Sequence, residues 1–149
     1  DADGIVLGSP NYINSVSAPM KAMFDRMADA IHCQMFRKKF GCSVCTAGGS
    51  REDDVVAYMN DVLETLGATV VGGVGVAIGR DPSKMEPAKA EAYELGKKLV
   101  KSIRGEIKYP EQDAARANRL DYFRQLVIDN KDRFAHEYDW YVRMGWIKE

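Results

Sequence analysis

Three times in succession the chain passes from a short apolar run, through a loop of small and polar residues, into a longer stretch with apolar residues at helical spacing. Residues 4–8 form the first run, closed by Ser9-Pro10-Asn11, and read as a strand buried on both faces. Beyond the loop, Met20, Phe24, Met27 and Ile31 follow at spacings of four, three and four, which predicts one amphipathic helix with Ser17 as its cap and Pro19 in its first turn. Residues 41–46 are the second run; Ala47-Gly48-Gly49-Ser50 then leads to a helix carrying Val55, Met59, Val62 and Leu66 and ending at Gly67. The third run, residues 69–78, is interrupted by glycines and precedes a helix over 86–104 with Ala88, Ala92, Leu95, Leu99 and Ile103 facing inward. Such alternation predicts an α/β doubly wound parallel sheet, because right-handed crossovers place the helices on its faces. Ligands in these sheets bind beyond the carboxyl ends of the strands, which directs attention to the loops 9–17 and 47–53.

The remaining 41 residues change character: Tyr109-Pro110 breaks the pattern, residues 113–134 read as one more helix with Leu120, Phe123, Val127 and Phe134 available for docking, and an aromatic tail follows. The expected division is therefore 1–108 for the sheet domain and 109–149 for a helical and aromatic extension. With 149 residues, 46% hydrophobic, the chain is long enough for a buried core. Twenty-one basic residues against twenty-two acidic ones leave a net charge of −1, which argues against nucleic acid as a partner. No run approaches the roughly 18–20 apolar residues of a membrane span, and no signal peptide is visible. With three cysteines, an odd number, the expected setting is a reducing cytoplasm. The first residue is not Met, which suggests that the sequence begins inside a longer protein.

The loop after the first strand holds a tyrosine, two carboxamides and several hydroxyls. A flat heteroaromatic ligand calls for that mixture, an aromatic wall for the ring and amide partners for its polar edge; a polar crossover loop leading to a capped helix accounts for it equally simply. Gly8-Ser9-Pro10-Asn11-Tyr12, followed by Ser17, Lys21 and Asp25 at four-residue steps and by Arg26 directly after, resembles the flavin loop of the flavodoxin-like NADPH-dependent FMN reductase and iron-sulfur flavoprotein family. Thr46-Ala47-Gly48-Gly49-Ser50-Arg51 is similar to the Gly-Gly-Ser loop of the same proteins, and Tyr138-Asp139-Trp140-Tyr141 with Gly145-Trp146-Ile147 looks like the carboxyl-terminal tail of several members.

That resemblance implies FMN as cofactor. It assigns ring contacts to Pro10, Asn11, Tyr12, Ile13 and Asn14, flanked by Ser9 and Ser15, and places Ala47, Gly48 and Gly49 near the pyrimidine edge. It also implies that the chain holds the third to fifth strands of a flavodoxin-like sheet, with the phosphate loop, and any cysteine segment holding an iron-sulfur cluster, upstream of residue 1. The implied function is an FMN-dependent oxidoreductase taking electrons from NAD(P)H to an unidentified acceptor, working as a homo-oligomer through its aromatic tail. Two other readings stay open: a flavin-bearing electron carrier without small-molecule turnover, and a cofactor-free association module.

Other candidate motifs carry less. Cys42 and Cys45 lie three apart in a strand and so face opposite ways, which prevents both from closing on one metal. Gly72-Gly73-Val74-Gly75-Val76 lies within a strand and lacks the third glycine of a dinucleotide fingerprint. His32 and His136 read as surface or capping residues, and Lys97, Lys98, Lys101, Arg104 and Lys108 as a solvated face. Trp140, Tyr141, Trp146 and Ile147 must pack on their own domain, on a sister subunit or on a neighbour's flavin.

Overall fold

The computed structural model describes residues 2–148. Three strands, β1 (Gly4–Pro10), β2 (Phe40–Ala47) and β3 (Thr69–Ala77), lie in the order β1-β2-β3, all parallel. The helices are α1 (Ala18–Asp25), α2 (Ala28–His32), α3 (Glu52–Thr65), α4 (Met85–Ile103), α5 (Pro110–Asp129) and α6 (Ala135–Arg143), with a 3-10 turn over Pro82–Lys84. Val16, Phe24 of α1 and Val55, Val56 and Met59 of α3 bury one face of the sheet, whereas Leu95 and Leu99 of α4 pack on Cys42 and Val71 of the other. The arrangement is the flavodoxin-like doubly wound α/β fold, followed by a helical carboxyl-terminal extension. Among the described residues no helix is long and apolar enough to cross a membrane.

The glycines of β3 bring α3 down onto the sheet. A Cβ on Gly73 would lie 2.3 Å from Val56 Cγ1, and one on Gly75 would lie 2.8 Å from Glu52 Cγ, so side chains there would push the helix away. Gly72, at φ +140°, sits where the β2–β3 register shifts, a bulge that leaves Val71 opposite no partner. Gln112 of α5 covers the edge beside that bulge: Val70 N–H donates to its Oε1 and its Nε2 donates to Val70 O, both at 2.8 Å. An edge strand is thereby blunted by a side-chain amide.

Four expectations are corrected. β1 is not buried on both faces among the described residues, where it lies at the edge of the sheet: Ile5 and Leu7 pack inward, and Val6 is 57% exposed. The helix after the first loop is two helices, because Arg26 N–H and Met27 N–H reach back only three residues, to Met23 O and Phe24 O, and this tightening ends α1. Ser17 occupies the cap position of α1, but its hydroxyl makes no cap bond. Residues 113–134 are not one helix; α5 ends at Asp129 and α6 follows after a turn.

The aromatic tail docks on its own chain. Tyr141, fully buried, donates to His32 O at 2.8 Å, and Trp140 Nε1 donates to Cys33 O at 3.0 Å. His32, read as a surface or capping residue, is the last residue of α2 and is half-buried: its Nδ1 stands 3.2 Å from Glu137 Oε1, and the rings of Phe123 and Phe134 flank it with centroids at 5.4 and 5.1 Å. Burial, reinforced by the Glu137 and Asp29 carboxylates, pushes the Cys33 thiol up to about 11. Cys42 faces α4 and Cys45 faces α3, on opposite sides as their spacing requires, and burial raises both thiols.

Candidate functional site

At the carboxyl edge, β1 does not stop where its strand pairing ends. Asn11 N–H donates to Thr46 O at 2.8 Å, carrying the ladder one residue further, and Asn11 Nδ2 crosses to Ser50 O at 2.7 Å. One side chain thus ties the loop after β1 to the loop after β2. Asn11 Oδ1 is buried and has no partner among the described residues, which leaves a fixed acceptor at the junction of the two loops.

Beyond Asn11 the chain makes a closed turn in which Tyr12 N–H donates to Ser15 O and Ser15 N–H returns to Tyr12 O, at 2.9 and 3.3 Å. Its central residues, Ile13 and Asn14, both have positive φ, 51° and 62°. Asparagine tolerates this conformation; a β-branched isoleucine is strained by it and persists only where its surroundings hold it. Yet Ile13 is 98% exposed and touches no core, so packing does not explain an apolar residue at that tip. Tyr12 beside it is 65% exposed. The turn's base is rigid: Val16 is buried in the α1–α3 cluster, and Ser9 Oγ accepts from Ser17 N–H at 2.9 Å while donating to Pro10 O at 2.9 Å. Ser9 is therefore buried and already bonded, and it closes the loop from beneath.

The second loop differs in kind. Ala47 is buried, and its carbonyl accepts from Ile78 N–H at 2.9 Å. Gly48 and Gly49 are exposed, neither has positive φ, and a Cβ on either would meet nothing within 4 Å. Neither backbone conformation nor packing requires glycine there, so the space above their backbone is open to a flat group. Arg51, at φ +65°, turns the chain into α3, and its Nε donates to Asp54 at 2.7 Å. The first turn of α3 is acidic, with Glu52, Asp53 and Asp54, and Glu52 Oε2 is another buried atom without a partner.

Pro10, Asn11, Tyr12, Ile13, Asn14 and Ser15 thus share one edge with Gly48 and Gly49, while Ser9 and Ala47 lie below it. The four-residue steps after Ser17 also acquire a physical meaning, since Lys21 Nζ donates to Asp25 across one turn of α1, and this raises the lysine. Sequence reasoning passed over a third loop. Gly79, at φ +54°, brings residues 78–81 to within 3.8 Å of Gly48 O, measured from where its Cβ would be, and Asp81 is lowered by bonds from Ser83. The turn residues Gly79-Arg80-Asp81-Pro82 at the end of a third parallel strand were the available signal.

A model of the family described as NADPH-dependent FMN reductase matches residues 1–83. Over 153 positions the chain is 28% identical to an iron-sulfur flavoprotein of Archaeoglobus fulgidus, covering 99% of this chain and 67% of that protein. Among solved structures, the rubredoxin oxygen:oxidoreductase of Desulfovibrio gigas is similar with a TM-score of 0.53 at 15% identity, over 70% of this chain and 24% of that one. The last likeness is one of fold.

Proposed function

The chain belongs to the NADPH-dependent FMN reductase family, and from that premise we propose that its carboxyl-edge loops hold the ring of FMN in an oxidoreductase that carries electrons from NAD(P)H to a small-molecule or protein acceptor. The observation that carries this reading is Asn11, pinned across both loops with an acceptor oxygen left unpartnered in a buried setting. A flavin's pyrimidine edge offers an N–H donor of the kind that oxygen lacks. Bound flavin supplies the redox chemistry, exchanging a hydride or single electrons.

The chain's own residues supply position. Tyr12 and Ile13 give an apolar wall on a turn whose two ends bond each other, so little ordering entropy remains to be lost on binding. Gly48 and Gly49 let the opposite loop's amides come close to a ring. Asn14 and Ser15 offer polar groups at the rim. No acid–base pair would be required of these residues, because the flavin would supply the redox chemistry and the protein orientation and exclusion of water.

The test is anaerobic addition of NADPH or NADH to the flavin-loaded protein, followed by absorbance at the flavin band. Bleaching within the dead time of hand mixing is the expected result. The likeness to an iron-sulfur flavoprotein favours a second reading, an electron carrier fed by another protein. Under that reading both nicotinamide nucleotides leave the flavin oxidised while a reduced low-potential protein donor bleaches it, and the proposal of nicotinamide-nucleotide turnover fails.

A further inference from the structure

The chain's net charge is −1, yet at the amino-terminal end of the sheet four cations and one carboxylate line a single cavity of about 450 Å³. Three separate segments build it. Arg37 and Lys38 come from the connection between α2 and β2, Lys108 from the connection between α4 and α5, and Arg116 from the second turn of α5. Phe40 and Thr69, the first residues of β2 and β3, place this cavity at the end of the strands opposite the flavin loops.

Two of the four cations, Arg37 and Arg116, are held there by side-chain contacts. Arg37 lies over the Trp146 ring at 5.3 Å, and Arg116 donates to Asp113, the one carboxylate of the lining. Lys38 has φ +66°, a left-handed conformation uncommon for a side chain of this type. Neither Lys38 nor Lys108 forms an ion pair among the described residues, so the lining carries an uncompensated charge of +3 (four cations less one carboxylate). Below them, fully buried Ser102 donates to Lys98 O at 2.8 Å and stands 2.7 Å from the Tyr109 hydroxyl, which leaves that phenol's proton directed to Ser102 and away from the cavity. The Phe40 and Tyr109 rings, 6.4 Å apart, add an apolar wall.

We infer that this basin is a second binding site, for a small organic anion carrying a phosphate or carboxylate group on an apolar or aromatic body. Lys38, Lys108 and Arg37 meet the anionic group, and the Phe40–Tyr109 wall meets the body. The inference does not rest on the flavin reading, because no residue is shared between the two sites.

The experiment is calorimetric titration of the chain with phenyl phosphate at low ionic strength, alongside phenol and inorganic phosphate. Phenyl phosphate is expected to bind one to one and more tightly than either fragment. The Lys38→Gln/Lys108→Gln variant, altered only at exposed side chains, is expected to bind it at least about tenfold more weakly, the least that two lost charge-assisted contacts imply. Amide shifts in the unmodified chain are expected at residues 38, 105 and 108. No binding, equal binding of phenol, unchanged affinity in the variant, or shifts confined to residues 11–15 and 48–50 would each overturn the proposal.

Discussion

On one face of the sheet, Met59 and Leu63 of α3 are fully buried, packed in clusters with Cys45 and Val70 that also draw in Ile5 and Leu7. On the other face, α4 covers Cys42 and Val71 with Leu95 and Leu99, but leaves Val6 exposed and a groove of about 360 Å³ beside Gly8, Val44 and Val74. The same three strands supply both faces. The difference lies in the helices: α1 and α3 together span the first face, whereas the amino-terminal half of α4 stands off the second, over Ala88 and Ala92, whose side chains are too short to reach across. Among the described residues, the sheet is therefore closed on one face and partly open on the other.

Truncation is the strongest way to break that comparison. Met59→Ala, in the closed face, is expected to cost about 2–5 kcal/mol, since a buried side chain this large leaves a cavity its neighbours cannot fill. Leu95→Ala, on the less covered face, is expected near the low end, about 2 kcal/mol, because Leu95 keeps 8% of its surface in solvent whereas Met59 keeps none. Urea unfolding with an unchanged slope is the measurement; equal costs for the two variants would mean that the faces are equally tight.

Adding a methyl group tests the same contrast from the other side. Gly73→Ala drives a Cβ into Val56 and to within 2.9 Å of Ser43 O, a backbone atom that cannot swing away, and about 1–3 kcal/mol of stability should be lost. Gly8→Ala meets only Val44 Cγ2 at 3.4 Å, an ordinary contact, and should change stability by less than about 1 kcal/mol in either direction. A Gly8 variant as damaged as the Gly73 variant would show that the groove is closed in solution.

Much of this was legible in the sequence. The three strand-to-helix units follow from a change of period, from short apolar runs to 3.6-residue spacing, and the opposite facing of Cys42 and Cys45 from a period of two. The failures share a cause. Ile5, Val6 and Leu7 are equivalent as sequence, and only the placement of the helices leaves the face that carries Val6 open. The break after Asp25 depends on two backbone bonds, and nothing in Arg26-Met27 marks it as glycine or proline would. For the site, tyrosine and the paired glycines were visible by type and by resemblance. The bond from Asn11 to Ser50 spans 39 residues and has no local signature, and the same is true of the cations from three segments that meet beside Phe40.

The loops at the carboxyl edge belong to the closed face through Val16, and the groove below Pro10 belongs to the open one. A ligand variant pair can tell which of the two serves the flavin. Tyr12→Ala is expected to weaken FMN by about fivefold, the roughly 1 kcal/mol of an aromatic contact, whereas Ala92→Leu, which fills the groove, should leave affinity within about twofold. Equilibrium quenching of flavin fluorescence reads both. The reverse pattern would move the ring to the open face and end the assignment of Tyr12.

The smallest expected effect concerns the phosphate. A doubly charged phosphate seeks free amides at a helix start, and the two starts near these loops are poorly suited to it. α3 opens with Glu52, Asp53 and Asp54, three carboxylates where an anion would have to lie. α1 opens with Ser17, whose amide is already given to Ser9 Oγ, and with Pro19, which has none. On the open face, Lys89 is the cation among the residues lining the groove. The carboxyl-edge loops should therefore bind riboflavin and FMN with affinities within about threefold of each other, both weakly, since the ring alone is engaged there and the phosphate adds almost nothing. Titrations of the Lys38→Gln/Lys108→Gln variant with the two flavins decide it, because the basin at the other end of the sheet then no longer contributes a phosphate contact. An FMN preference of tenfold or more would require a phosphate site that the closed face, with its acidic helix start, does not offer, and would shift the search to the open face and Lys89.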